Sequence, residues 1–211
     1  MNDVTQISAD GISTGASKQH GRGDTRAKLL AAAQELFVAK GFHATRPQDI
    51  SRAAGVGHGT FYLHFKDKQA CFLAFAEQAA EALETYVETR LPADGTPYDA
   101  MRETIRLTYE FSQAHPGILA AALTDMSVID GGDGGSILMG RWGIQWAERL
   151  AEWKSAGLIG AHVDTDYVGY AIPGMIRQAG ERAAVDEADK VQVLDALMAF
   201  LAAGLGLSKE H

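Results

Sequence analysis

Residues 55–65, GVGHGTFYLHF, set the tightest limit on what this chain can fold into. Gly55 closes a short run ending in Ala53-Ala54, the place where a helix terminus favours a residue in the left-handed region. The segment behind it has room for two helical turns, and Phe61 and Phe65, four residues apart, then share one face. The stretch therefore reads as helix, glycine turn, short helix from His58 to His64. With Phe61, Phe65, Ile50, Val56, Leu36 and Phe37 closing a small core, the side chains left outside are His58, Gly59, Thr60, Tyr62, Leu63 and His64. Helix, tight turn, short helix is the helix-turn-helix plan, whose second helix enters a DNA major groove. The competing reading for Tyr62 is a half-buried core tyrosine.

Upstream, residues 1–24 are rich in Ser, Thr, Gly and Asp and read as a disordered arm, because they hold too little apolar surface to offset chain entropy. Leu29, Leu30, Ala33, Leu36 and Phe37 recur at helical spacing until Gly41. A second short helix spans about 46–53, with Thr45 as its expected cap and Pro47 in its first turn. Residues 25–70 thus form one small domain and 71–211 a second, larger one. Charge divides along the same line: residues 1–70 hold nine Lys/Arg against six acids, whereas the whole chain carries a net −8. That asymmetry suits an anionic partner for the front domain, although a modest excess is also ordinary surface chemistry.

From Asp67 onward the pattern is helical throughout, with stretches near 67–90, 98–114, 116–125, 141–154, 165–182 and 187–203, and no segment alternates with period two. The class is all-α. Trp142, Trp146 and Trp153 share a helical face, which suits a core, a subunit contact or one wall of a ligand cavity. Met101, Ile105, Tyr109, Phe111, His115, Met126, Trp142, Trp146, Tyr170 and Met175 are the candidate pocket residues. Rings and thioethers with few polar handles suit a largely apolar or aromatic ligand. Pro173-Gly174 predicts a kink or break in the penultimate helix, made either for a neighbour or for a ligand. The last helix places Leu194, Leu197, Met198, Leu201 and Leu205 on one stripe.

Other chemistries find little support. No nucleophile, base and orienting group can be assembled, so no enzyme is expected. His58 and His64 are six apart and not the four that align metal ligands on a helix face, and neither a metal nor a cofactor is expected. The DGGDGG loop at 130–135 lacks the Gly-Lys-Ser/Thr ending of a phosphate cradle. A single cysteine, Cys71, permits no intramolecular disulfide and reads as a small packing residue. No apolar run is long enough to span a membrane and no signal-peptide pattern opens the chain, so a cytoplasmic protein is expected.

The ordered set Leu29-Leu30-x-Ala32-Ala33-x-x-Leu36-Phe37, Gly41-Phe42, Thr45, Asp49-Ile50, Ala53-Ala54-Gly55-Val56, Gly59-Thr60-Phe61-Tyr62, His64-Phe65 and Lys68 resembles the N-terminal DNA-binding domain of TetR-type transcriptional regulators. The resemblance covers about residues 26–72; beyond it only the helical layout is similar. It implies a homodimer that binds double-stranded operator DNA and a small-molecule effector, and it implies a repressor released by that effector. By the same resemblance, DNA contacts fall on Thr45, Arg46, Gln48, His58, Gly59, Thr60, Tyr62, His64 and Lys68. Lys66 joins them as a neighbouring charge able to neutralise phosphate. Subunit contacts fall on the last two helices, with Tyr167, Ala171, Leu194, Leu197, Met198 and Leu201 as candidates. Two positions depart from the pattern: Gly57 stands where such proteins often cap the reading helix with Ser, and His58 where they often carry Lys or Arg. A DNA-binding regulator without a small effector, a helical ligand-binding protein and an enzyme remain the alternative readings.

Overall fold

The computed structural model describes residues 14–123 and 137–208. Met126 and the DGGDGG loop lie outside them, as do residues 1–13 and the side chain of Arg22. Among the described residues the protein is all-α: α1 (Thr14–Ala44), α2 (Pro47–Ala53), α3 (His58–His64), α4 (Lys68–Glu88), α5 (Pro97–Ala114), α6 (Ile118–Ala122), α7 (Ile137–Ser155), α8 (Thr165–Val185) and α9 (Lys190–Leu205). Two compact units divide between Cys71 and Phe72.

The first unit is built on α1, which starts at Thr14, inside the segment expected to be a disordered arm. Extending an existing helix costs far less than nucleating one, and the Lys28–Asp24 pair at 2.7 Å supports the added turns. At the other end Gly41, with φ 77° and ψ 169°, interrupts the helical path. Phe42 then turns inward, its ring 6.0 Å from that of Phe37. Thr45 does not cap α2. Its side chain is buried and its hydroxyl donates to the Gly41 carbonyl at 2.8 Å and the Leu36 carbonyl at 3.3 Å, which satisfies acceptors left open by the end of α1. Arg46 is the N-cap residue of α2, without a side-chain cap bond.

A Schellman turn ends α2. Val56 N–H donates to the Ser51 carbonyl at 2.9 Å and Gly55 N–H to the Arg52 carbonyl at 3.1 Å, with Gly55 at φ 69°. A β-carbon at that φ is strained whatever the space around it, so glycine is the residue the turn requires. Leu29, Ala33, Phe37, Ile50 and Phe61 are sealed together as the core of this unit, and Phe65 lies beneath the Arg26 guanidinium at 5.1 Å. Asp67 caps the next helix, accepting from Ala70 N–H at 2.7 Å.

In the second unit α5 starts with a full capping box, Thr96 and Asp99 each accepting from the other's backbone N–H. Its core joins Met101 and Ile105 of α5, Trp146 and Leu150 of α7, Ile172 and Ile176 of α8, and Leu194, Met198, Leu201 and Leu205 of α9. Three of these, Leu194, Met198 and Leu201, were expected at a subunit contact. An amphipathic stripe looks the same whichever apolar surface covers it, and here the subunit's own core takes it. Leu197 is partly buried against that core, while Tyr167 and Ala171 are exposed.

α7 and α8 approach so closely that a β-carbon added to Gly169 would stand 2.5 Å from the Ala147 nitrogen. α8 continues as one helix through the buried Pro173, so the break that the sequence allowed there does not occur. Burial of Ile172 and Ile176 on either side outweighs a local cost of ~3 kcal/mol for proline inside a helix.

Two outcomes follow from this packing. Gly169→Val should lower stability by about 3 kcal/mol in urea unfolding, because the obstacle is backbone and cannot swing aside. Cys71 gives the second: its burial pushes the thiol from 9.0 up to about 12, against the opposing charge of Arg26. Since folding favours the protonated thiol, its contribution is complete below pH 9.0 and disappears as pH rises towards 12. Cys71→Ala should therefore make unfolding free energy fall less steeply across that alkaline window; an unchanged slope would assign the loss to other groups.

Candidate functional site

The outer surface of α3 follows from its inner one. Burial of Phe61 and Phe65, with ring centroids 5.6 Å apart, fixes the rotation of a helix only seven residues long. His58, Gly59, Tyr62 and Leu63 consequently face out, Tyr62 with 51% of its surface exposed and Leu63 with 67%, while Thr60 and His64 are half-buried. His58 and Tyr62 stack edge to face at 5.3 Å, one turn apart. Tyr62 is therefore outside the core and presents its phenol to solvent. Arg46, Gln48 and Lys66 are exposed as well.

Gly59 is informative because nothing inside the protein asks for it. Its φ lies outside the left-handed range, and an added β-carbon would meet no atom within 4 Å. A glycine in a helix costs ~0.5–1 kcal/mol relative to alanine, and no internal contact recovers it. The smooth spot lies beside hydroxyl, imidazole and basic groups, the donor set that grips phosphates and base edges.

Thr45 and Lys68 leave this set. Thr45 is committed to the end of α1, as described above. The Lys68 ammonium donates to the Phe42 carbonyl at 2.7 Å and lies over the Phe42 ring at 4.1 Å, and partial burial lowers its pKa. It tethers the start of α4 to the end of α1 and is not a solvated charge awaiting a phosphate. Both residues look polar and available in the sequence; only the turn at Gly41 supplies the carbonyls that claim them.

Two of the cavities in the second unit share Thr108, Trp142 and Ile176 in their walls. One, of about 230 Å³, is lined by Leu83, Val87, Trp142 and Trp146 and rimmed by Glu84, Glu88, Glu148, Arg149 and Glu152. Glu84 is taken up by a two-pronged ion pair with Arg141. The other, of about 290 Å³, is lined by Tyr109, Leu119, Leu123, Trp142, Ile176, Ala183 and Val193, with Ser112, Arg177, Glu181 and Lys190 as its polar groups. Tyr109 donates its hydroxyl to the Ile176 carbonyl at 3.0 Å, and burial pushes the phenol up to about 12.

Of the candidate pocket residues, Tyr109, Trp142 and Trp146 reach a cavity. Met101 and Ile105 are fully buried core, and Met175 packs partly buried against that core. Phe111 is buried between Tyr86 and His115, and His115 is exposed. Tyr170 is 53% exposed, its ring lying against Gly143. The residues missed are Leu119, Ile176, Arg177, Gly180 and Lys190. Their one sequence signal was the sparse bulk of Gly180, Ala183 and Ala184 behind Ile176, which leaves room beside a helix without stating what fills it.

Residues 29–75 match the family described as bacterial regulatory proteins, tetR family. Curated relatives include the transcriptional regulator EthR of Mycolicibacterium smegmatis, 31% identical over 102 residues, 46% of this chain and 46% of that one. RutR of Escherichia coli K12 is 33% identical over 92 residues, 42% of this chain and 41% of that one. The chain thus spans about half the length, or less, of these curated relatives. Solved structures extend the likeness in fold. A fatty acid degradation regulator, FadR from Bacillus halodurans, superposes with a TM-score of 0.69 at 16% identity, covering 84% of this chain and 94% of that one. RolR in complex with resorcinol gives 0.66 at 22% identity, covering 90% and 91%.

Gly59→Ala separates the two roles of the reading helix. It should raise thermal stability by ~0.5–1 kcal/mol, since the new methyl meets nothing and helix propensity improves. It should also weaken operator DNA binding in a gel-shift titration. Loss of stability would mean that this glycine serves the fold, and unchanged DNA affinity would mean that no close approach to a duplex depends on it.

Proposed function

We propose that this chain, whose residues 29–75 form a tetR-family helix-turn-helix domain, is a sequence-specific transcriptional repressor that leaves its operator when a small apolar or aromatic effector occupies the second unit. The observation that carries the DNA-binding part is the outer face of α3, where exposed Tyr62 and His58 surround a glycine that the fold itself does not need. Tyr62, Thr60, His58 and His64 supply donors to phosphates and base edges, Leu63 supplies an apolar contact for a thymine methyl, and Arg46, Gln48 and Lys66 flank them. Gly59 lets the helix backbone approach the duplex.

One reading helix covers one half-site, so a dimer is part of the proposal. The exposed apolar residues of the last two helices, Tyr167, Tyr170 and Ala171 on α8 and Val191 and Phe200 on α9, support a pairing surface there. Two reading helices about 34 Å apart then enter successive major grooves of a palindromic site. An effector that binds better to a pair with another spacing draws the population off DNA, by no more than its difference in affinity for the two arrangements. α4 begins in the first unit and continues into the second as one helix. It is the element through which the two states are coupled.

The effector site in this reading is the cavity of about 290 Å³, chosen because apolar side chains dominate its wall. RolR was solved with resorcinol and the Bacillus subtilis FadR with stearoyl-CoA, both at under 25% identity. They support effector binding in proteins of this fold without naming the effector of this chain.

The test selects duplexes from a random pool with the full-length protein. A palindromic sequence should emerge, and its log affinity should fall with log salt at a slope of about −3 to −4, as expected for the Arg46 and Lys66 charges of two subunits. Aromatic compounds that raise the melting temperature should release this duplex from the wild type but not from Leu119→Trp, in which an indole fills the cavity. Failure to enrich any sequence defeats the DNA-binding reading. Release that survives Leu119→Trp moves the effector elsewhere.

A further inference from the structure

The two neighbouring cavities that share Trp142 carry charges of opposite sign. Glu88, Glu148 and Glu152 outnumber Arg149 around the first, whereas Arg177 and Lys190 outnumber Glu181 around the second. The Arg177 Nε is cut off from solvent and has no hydrogen-bond partner. A guanidinium remains charged under all ordinary conditions, and a buried donor without an acceptor is unfavourable. Its neighbour Glu181 does not repair this: it meets Nη1 at 3.7 Å, beyond hydrogen-bond range, and the two side chains are 39% and 55% exposed. Lys190, in the first turn of α9, makes no ion pair or hydrogen bond among the described residues, and a cation is disfavoured at that end of a helix.

We infer that the ligand of the second cavity is an apolar or aromatic molecule bearing one carboxylate, with the ring or chain against Trp142 and Leu119 and the carboxylate held by Arg177 and Lys190. This rests on the effector reading above and specifies the chemical class. The Arg177 side chain lines this cavity and is 39% exposed, and its Nη–H groups form a fork that matches the two oxygens of a carboxylate. The carboxylate adds a counter-charge for the Arg177 guanidinium, which Glu181 meets only at 3.7 Å, and it also offsets the unfavourable placement of Lys190 at the start of α9. A cationic ligand would face two like charges, and a neutral one would gain no charge-assisted contact from either.

Isothermal titration of the full-length protein with three probes of matched shape, 4-butylbenzoate, 4-butylbenzyl alcohol and 4-butylbenzylamine, reads this directly. The benzoate should bind at least about tenfold more tightly than the alcohol, as a charge-assisted two-pronged contact allows, and the amine should bind most weakly. Arg177→Gln should bring the benzoate down to the affinity of the alcohol and leave the alcohol unchanged. Lys190→Gln, at an exposed position that does not threaten folding, should remove a smaller part of the preference. Equal binding of benzoate and alcohol to the wild type, or a preference that survives Arg177→Gln, overturns the assignment while the cavity reading stands, provided Leu119→Trp still abolishes alcohol binding. If Leu119→Trp leaves all three affinities intact, or if none of the three binds, the cavity reading falls and the charge assignment with it.

Discussion

Sealing two aromatic rings, Phe61 and Phe65, against the first unit is the constraint on which the outer surface of α3 depends. A helix of seven residues has too few internal hydrogen bonds to persist alone. Burial of a phenylalanine side chain supplies ~1.5–3 kcal/mol, and because the two rings lie one turn apart they fix the roll of the helix as well as its position. Rotational freedom would scatter His58, Tyr62 and His64 over many directions. Held by its rings, the helix shows one polar face, with Gly59 as a smooth spot on it.

The turn that delivers this helix is as demanding as the rings. Gly55 at φ 69° permits the paired bonds from Val56 and Gly55 back into α2, and Phe65 N–H closes the far end on the Phe61 carbonyl at 2.9 Å. At the other side of the unit a second glycine, Gly41, exposes carbonyls that Thr45 and Lys68 then occupy. Two polar residues expected to touch DNA are thereby spent on joining α1, α2 and α4. The set of polar side chains open to a partner on this side becomes narrower and centres on α3 itself.

The second unit shows why a list of apolar residues is a poor map of a cavity. Met101, Ile105, Leu194 and Met198 pack fully against one another because a core excludes voids wherever side chains can interdigitate. Space survives where side chains are small or held back, beside Gly180 and Ala184, with the Tyr109 ring restrained by its hydroxyl bond to the Ile176 carbonyl. Each cavity takes its sign of charge from helix faces that meet only after folding: α4 with α7 at one, α8 with the start of α9 at the other.

Local chemistry was legible without coordinates. The all-helical class, the glycine turn, the inward Phe61 and Phe65, the exposed Tyr62 and the resemblance of residues 26–72 to a DNA-binding domain all depend on spacings of a few residues, where 3.6-residue periodicity and glycine backbone freedom decide the outcome. What required tertiary structure was the competition among distant groups for the same partner. Thr45 and Lys68 are taken up by carbonyls of α1; α8 continues through Pro173 with buried neighbours on either side; the Leu194 stripe is buried in the subunit's own core. The orphaned Arg177 donor belongs to the same class. A side chain's period states which way it faces, but whether it is satisfied depends on atoms that the fold alone brings within 3 Å of it.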